Sequence, residues 1–309
     1  MPRVARVKHP GAILHIMIRS ISEVPLFKDN RDRNKYLELL KKYMDLYRFR
    51  LYAYCLMTTH AHFIIDCSGA DISKIMKSIN QSYAMYYNKR HNRHGHLFQD
   101  RFKSKIVNSD RYLMMLSAYI HNNPKDIKAY KNDVAKYPYS SLSIYLGKKV
   151  DTLKILDANY ILQQFGSDIM KARKKYLELL KNVYQLPDSV ELEKAAEFIP
   201  EENEYRSEKP LVYRDFSLAS IKDFITSYLG QNFNLHLKYN HKNNELKSLF
   251  IVLARSLSNL TLKDICITLK NLTLSSVWRL SQKGSDLILS DPKYKNIIDD
   301  FLKENVAVG

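Results

Sequence analysis

The stretch AYCLMTTHAHFIID, residues 53–66, decides the fold of the first half of this chain. Two apolar runs rich in aromatic and β-branched residues are separated by the polar pair Thr58-Thr59, a pattern typical of a β-hairpin. We therefore predict two strands, over 50–57 and 60–66, joined by a short turn.

The segments around this hairpin alternate between strand and helix periodicity. Strands are predicted over 12–19 and 99–107, and helices over 31–49, 71–92 and 109–123. The resulting order is βαββαβα, and its first six elements match a ferredoxin-like arrangement, an antiparallel sheet with helices on one face. The predicted fold class is α+β.

Three regions follow along the chain. Residues 1–150 carry the sheet, residues 151–216 form a helical extension that ends in an acidic linker at 185–212, and residues 217–309 read as an all-α domain. Cys55, Cys67 and Cys266 are too far apart for a disulfide framework or a metal-binding motif. With no apolar run long enough to cross a bilayer, we expect a cytoplasmic protein without a membrane partner.

The positive charge is concentrated in one half. The chain has a net charge of +17, and residues 1–150 hold 27 Lys and Arg against 11 Asp and Glu, a net +16. This imbalance favours a polyanionic partner, most often nucleic acid, over a merely solubilising surface. We expect four cations of this half to bind DNA: Arg19, Arg101, Lys103 and Lys105.

His60 and His62 stand two apart in the second strand of the hairpin. Alternation places both imidazoles on one face, with Cα atoms about 6.6–6.8 Å apart, which suits two ligands of one ion. Two imidazoles leave room for water and a phosphate oxygen on a cation such as Mg²⁺ or Mn²⁺. The motif is short, and ordinary surface or core histidines are the alternative.

Tyr119 and Asn123 lie four residues apart in the predicted helix 109–123, so they share one face. A tyrosine and an amide oxygen could therefore point together at one ion. The chain has 22 tyrosines, and most tyrosines at helical spacing are core residues. Spacing by itself leaves three other candidates open: Tyr112, Tyr83 and Tyr87.

Four segments resemble, in this order, the single-tyrosine HUH transposases, in particular the branch of REP-associated tyrosine transposases. They are AYCLMTTHAHFIID, SYAMYYNKRHNRHGHLFQDRFKSKIV, YLMMLSAYIHNNP and YPYSS. The resemblance covers about residues 5–183. Two departures fall in loops: Thr58-Thr59 stand where the family usually has Pro-Asn, and the usual Gly-Asn is missing after Arg19.

The resemblance implies both fold and chemistry. It implies a ferredoxin-like domain whose central strand carries the metal ligands His60 and His62, with Asn123 as third ligand and Tyr119 as nucleophile. The family cleaves single-stranded DNA beside an imperfect hairpin, forming a 5′-phosphotyrosine link and a free 3′-OH. A phenol has a pKa near 10 and is a poor nucleophile at neutral pH, so this chemistry needs a metal.

Residues 246–284 carry a second pattern, two short helices with a brief polar joint at 270–273. Such a pair is typical of a helix-turn-helix, and the segment resembles the C-terminal DNA-binding domain of the replication initiator DnaA. A plain helical hairpin is the alternative, because the charge of this half is near zero. The candidate residues for reading duplex DNA are Ser275, Ser276, Trp278, Arg279, Gln282 and Lys283.

Three functions are compatible with these features. The first is a transposase that cuts and joins single strands beside hairpins, and the second is a domesticated DNA-binding protein or repressor without catalysis. The third is an RNA-binding protein that uses the sheet, although the aromatic RNP motif is absent. The intact set of His60, His62, Tyr119 and Asn123 favours the enzyme. The sequence leaves the target hairpin and the oligomeric state open.

Overall fold

The computed structural model describes residues 13–21, 24–185, 214–231, 233–235, 241–258, 260–270 and 272–306. Nearly all of the predicted acidic linker, 185–212, lies outside these residues. Two compact units divide the chain: one comprises 1–44, 48–68 and 72–211, the other 45–47, 69–71 and 212–309. None of the helices in the described ranges is both long and apolar enough to cross a membrane.

The first unit has the predicted βαββαβα order. Its elements are β1 (Ile13–Arg19), α1 (Asn30–Tyr47), β2 (Arg50–Leu56), β3 (His60–Asp66), α2 (Ile72–Arg90), β4 (Lys103–Ile106) and α3 (Asp110–Asn122). The strand predicted over 99–107 is shorter than expected. The residues before Lys103 are not part of β4. Two isolated contacts precede it: Phe98 forms a single bridge with Ser20, and the Gln99 amide donates to the Arg19 carbonyl.

The predicted antiparallel sheet is confirmed. It has four strands in the order β2-β3-β1-β4, and each neighbouring pair runs antiparallel. In the β1–β3 ladder Met17 lies opposite His62 and Arg19 opposite His60, while β4 places Lys103 opposite Met17. Because directly paired residues share a face, this register sorts every side chain of the sheet to one side or the other.

One face of the sheet packs on α1 and α2 through aromatic side chains. Phe63 stacks on Tyr36 of α1 with ring centroids 5.7 Å apart, and Tyr36 meets Tyr83 of α2 edge to face at 5.0 Å. These three rings are fully buried. Aromatic pairs of this kind add roughly 0.5–1.5 kcal/mol to the free energy of area burial.

A charged cluster joins the start of α1 to the end of α2. Asp29 caps α1 by accepting hydrogen bonds from the Arg31 and Asp32 amides. Arg90 pairs with Asp29 and with the fully buried Asp32, whose carboxylate also lies 3.0 Å from the His91 ring. A buried carboxylate is stable only when paired in this way, so the cluster fixes the two helices to each other.

The seventh element, α3, lies outside the arrangement expected for the first six elements. Asn123, the residue after α3, is hydrogen-bonded to His60, which stands on the face opposite Phe63. The end of α3 therefore lies on the histidine side of the sheet. The described chain continues with three further α-helices, α4 (Leu142–Tyr145), α5 (Ala158–Leu162) and α6 (Ile169–Asn182), and with short 3₁₀ helices before, between and after them.

The described residues of the second unit beyond 213 form helices. They are α7 (Leu218–Leu229), α8 (His241–Leu257), α9 (Leu262–Leu269), α10 (Leu274–Ser290) and α11 (Ile297–Val306). α10 approaches α8 so closely that a Cβ on Gly284 would meet the Ser248 carbonyl oxygen at 2.1 Å. Glycine is therefore required there to let the two backbones pack.

Candidate functional site

His60 and His62 share the face of the central strand β3 that lies opposite Phe63. Their ring centroids are 5.2 Å apart and the ring planes are nearly perpendicular, at 81°. His62 is buried, whereas His60 at the start of the strand is half-buried. The register puts Arg19 beside His60, and Lys103 on the same face as His62. The pair thus forms an imidazole site with basic side chains beside it on the same face.

A third histidine stands behind this pair. His15 of β1 is fully buried, and its Nε2 lies 3.0 Å from Nδ1 of His62, with ring centroids 5.2 Å apart. Burial, with the charge of Lys105 nearby, lowers the pKa of His15 to about 3. Burial, with His15 and His60 adjacent, holds the pKa of His62 well below its usual value. Both rings are therefore neutral near pH 7, the form in which an imidazole binds a metal.

His60 connects the strand to α3. Burial lowers the pKa of His60, the Arg19 charge acts in the same direction, and a hydrogen bond to Asn123 and the Asp126 carboxylate oppose the shift. On its other side, Nδ1 of His60 lies 3.2 Å from the Thr59 hydroxyl. The contact between His60 and Asn123 brings together two of the three predicted metal ligands.

Tyr119 and Asn123 lie on the same side of α3, one turn apart. The Asn123 amide donates to the Tyr119 backbone carbonyl at 3.1 Å. The half-buried Tyr119 ring packs edge to face on Tyr184 with centroids 6.2 Å apart, and Lys125 lies over the Tyr184 ring at 4.9 Å. The tyrosine predicted as nucleophile therefore sits in an aromatic setting with a cation close by.

The opposite side of α3 is anchored by buried polar contacts. His121 lies 2.6 Å from the Tyr176 hydroxyl of α6 and 2.7 Å from the Ser141 hydroxyl. Ser141 in turn accepts from the Tyr54 amide of β2. Asn122 donates to the Leu180 carbonyl of α6 at 2.7 Å. These bonds hold α3 at a fixed rotation against α6 and β2.

The other tyrosines left open by the sequence are placed differently. The Tyr112 hydroxyl is buried and has no hydrogen-bond partner among the described residues, and burial raises the pKa of Tyr112 to about 12. Tyr83 and Tyr87 donate to the backbone carbonyls of Leu26 and Pro25 in the packed layer of α2. None of these three hydroxyls is available in the way a nucleophile requires.

Three of the four predicted cations share the histidine face. Lys103 and Lys105 lie opposite Met17 and His15 on β4, and Arg19 lies opposite His60. Arg101 is exposed just before β4, outside the ladder. The candidates in the C-terminal unit lie on α10, and Trp278, Arg279 and Lys283 are exposed there.

Sequence reasoning missed His15 and Asp126. His15 alternates with Met17 and Arg19 in the predicted first strand, so it could have been placed on their face. That His15 contacts His62 depends on the order of the strands in the sheet, which cannot be predicted from the sequence of a single strand. Within the described residues, no three or more His, Cys, Asp and Glu side chains group as a metal site; the predicted set combines two imidazoles with an amide.

The first half of the chain is similar to a known protein family. Residues 9–123 match the family model described as "Transposase IS200 like". A solved structure of a REP-associated tyrosine transposase bound to a REP hairpin is similar at 15% sequence identity and a TM-score of 0.41. The match covers 51% of this chain and 96% of that one. No curated protein matches this chain significantly.

The buried His121 makes the stability of the first unit depend on pH. Burial lowers the pKa of His121 from 6.5 to about 3. The unfolded chain thus takes up a proton near pH 6.5 that the native ring does not accept until about pH 3. The stabilising contribution of the neutral ring is complete above pH 6.5 and is lost as the pH falls.

We therefore expect His121→Gln to flatten the acid side of the stability profile. Relative to the wild type, the loss of unfolding free energy between about pH 7 and about pH 4.5 should shrink by about 2 to 3 kcal/mol. Urea denaturation followed by circular dichroism at each pH measures this. His94→Gln, which removes an exposed imidazole, is the control. Parallel profiles for His121→Gln and the wild type would contradict the assignment.

Proposed function

We propose that this protein is a metal-dependent endonuclease and strand transferase of the single-tyrosine HUH type, acting on single-stranded DNA beside hairpins. The observation that carries the proposal is the link from His60 through Asn123 to the Tyr119 turn, which joins the two candidate halves of the site. The match of residues 9–123 to IS200-like transposases supports it, as does the strand order β2-β3-β1-β4 of a ferredoxin-like sheet.

The proposed reaction is a displacement at phosphorus. The Tyr119 oxygen forms a bond to the scissile phosphorus while the bond from phosphorus to O3′ breaks. The phenol loses its proton, and O3′ takes up a proton to become a free 3′-OH. The 5′-phosphotyrosine ester conserves the bond, so a second 3′-OH can displace the tyrosine and join two strands without ATP.

Among the four candidate tyrosines, Tyr119 is the one best placed to act as the nucleophile. The hydroxyl of Tyr112 is buried, and those of Tyr83 and Tyr87 are engaged by backbone carbonyls on the opposite layer. Tyr119 is half-buried and lies one turn before Asn123, which contacts the histidine site. Its helix is held from behind by His121, so the tyrosine keeps its direction during the reaction.

The donor set fits a divalent cation. His60, His62 and Asn123 offer two imidazole nitrogens and one amide oxygen, which leaves positions for water and a phosphate oxygen. The neutral state of both rings favours binding of Mg²⁺ or Mn²⁺. The cation would polarise the scissile phosphate and stabilise developing negative charge. Arg19, Lys103 and Lys105 on the same face would hold the DNA backbone.

Replacing Tyr119 by phenylalanine should abolish covalent attachment to DNA. The change removes the phenol oxygen and keeps the ring that packs on Tyr184, so hairpin binding should change less than about twofold. Labelled single-stranded hairpin DNA is incubated with protein and Mg²⁺, and adducts are resolved on a denaturing gel, with a native gel for binding.

Tyr112→Phe is the matched control, since it removes a phenol oxygen from the same helix. It should form the adduct at the wild-type rate. An adduct from Tyr119→Phe would eliminate Tyr119 as the nucleophile. Hairpin binding by the wild-type protein without any adduct would instead favour the alternative, a DNA-binding protein or repressor that has lost catalysis.

His60→Ala should remove metal-dependent cleavage, because one imidazole and one amide hold a hard cation poorly. The expected result is a fall of at least about 100-fold in the rate of adduct formation at low Mn²⁺, with partial recovery at high Mn²⁺. Hairpin affinity in the presence of EDTA should be close to that of the wild type. Full activity of the variant at low Mn²⁺, or wild-type cleavage in EDTA, would contradict the metal assignment.

We further propose that α9 and α10 form a helix-turn-helix that binds duplex DNA. Thr261 and Asp264 cap α9 reciprocally, and Thr273 caps α10 by accepting from the Ser276 amide. The inner side of α10 is buried and includes Val277, Ser281 and Gly284. The outer side of α10 would contact the edges of the bases. Trp278 and Arg279 are exposed on this side, one turn from the cap.

Arg279→Ala should weaken duplex binding by the full-length protein while leaving hairpin cleavage unchanged. An arginine paired with guanine contributes about 1–3 kcal/mol of discrimination, or roughly 5- to 150-fold in affinity. Fluorescence anisotropy against a panel of labelled duplexes measures it. Lys303→Ala, which removes an exposed positive charge on α11, is the control. Equal duplex affinity for Arg279→Ala and the wild type would leave these helices as a packing or oligomerisation element.

A further inference from the structure

His15 makes a contact that the reaction scheme does not use. Nε2 of His15 lies 3.0 Å from Nδ1 of His62, with the ring centroids 5.2 Å apart and the two ring planes inclined by 26°. His15 is fully buried, so it cannot reach DNA from this position. Its ring touches one of the two imidazoles proposed to hold the cation.

The distance restricts how protons are arranged on the two rings. Two imidazole nitrogens 3.0 Å apart form a hydrogen bond only if one carries hydrogen and the other offers a lone pair. If His15 donates, Nδ1 of a neutral His62 is the acceptor and its Nε2 carries the hydrogen, so no lone pair remains for a metal. If His62 donates from Nδ1, its Nε2 lone pair is available.

We propose that His15 is a positioning residue that accepts the Nδ1–H of His62 and thereby presents Nε2 of His62 to the cation. The inference rests on the proposed metal site and deepens it. Metal-binding histidines characteristically donate their second ring N–H to a neighbouring acceptor, which fixes tautomer and ring orientation. Here the acceptor is an imidazole on the adjacent strand rather than a carboxylate or a backbone carbonyl.

The surroundings of the pair support this role. His15 is paired with Ile64 and Lys105 across the sheet, so backbone hydrogen bonds on both sides of β1 fix its position. His60, by contrast, lies next to the exposed Thr59 hydroxyl at 3.2 Å. His62 is therefore the rigid ligand and His60 the adaptable one.

The tautomer of His62 can be measured without any metal or DNA. Long-range ¹H–¹⁵N correlation spectra of ¹⁵N-histidine-labelled full-length protein distinguish the two neutral tautomers, and His62→Ala assigns the signals among the ten histidines. The wild type should show His62 as the Nδ1–H form. His15→Phe should shift His62 to a mixture of tautomers, and His15→Gln, whose amide oxygen can accept at the same reach, should restore the Nδ1–H form.

Ile16→Val, a buried change on the same strand but the opposite face, is the control for general loosening of β1 and should leave the tautomer unchanged. An Nε2–H tautomer of His62 in the wild type would overturn the inference. The same holds if His15→Phe leaves the spectrum of His62 unchanged.

Binding of Mn²⁺, followed by the electron paramagnetic resonance signal of the free ion, connects the tautomer to the site. Loss of the acceptor should weaken Mn²⁺ binding about 10- to 100-fold in His15→Phe, with most of the affinity regained in His15→Gln. Unchanged affinity in His15→Phe would overturn the inference while leaving the proposed endonuclease intact. If the wild type binds no Mn²⁺ yet holds His62 as the Nδ1–H form, the metal assignment of the proposed function fails instead.

Discussion

The candidate site depends on the register between β1 and β3. With Met17 opposite His62 and Arg19 opposite His60, both imidazoles stand on one face and Phe63 stands on the other, in the aromatic core. A slip of one residue would exchange the two faces, burying imidazoles among helices and exposing the apolar side. The burial of the Phe63 face against α1 and α2 therefore fixes the chemistry on the other face.

The helix α3, which carries Tyr119, is held in place by buried hydrogen bonds as well as apolar contacts, whereas the histidine strand is positioned by apolar burial. α3 reaches the sheet through buried hydrogen bonds of His121 to Ser141 and Tyr176 rather than through an apolar layer alone. Hydrogen bonds are directional, so they set the rotation of the helix as well as its distance. Asn123, one turn beyond Tyr119, meets His60 of the histidine strand because the opposite side of α3 is satisfied in one orientation.

Charge separates the two proposed modes of DNA binding. The first half concentrates the positive charge, and its cations line the sheet face beside neutral imidazoles, a setting suited to gripping a phosphate backbone. The second half is nearly neutral, so any duplex recognition there would come from side chains such as Arg279 that read base edges. Under these proposals the first half of the chain binds the single strand that is cleaved, and the second half binds duplex DNA and so locates the target.

The sequence by itself determined the features that follow from local backbone periodicity. Strand alternation put His60 and His62 on one face, and the helical turn put Tyr119 beside Asn123. Only the tertiary structure decided what lies across from them: His15 against His62, which is 47 residues away in sequence, and α3 on the face that the sequence had left uncovered. Neighbours between strands depend on strand order and core packing, which no single segment of sequence contains.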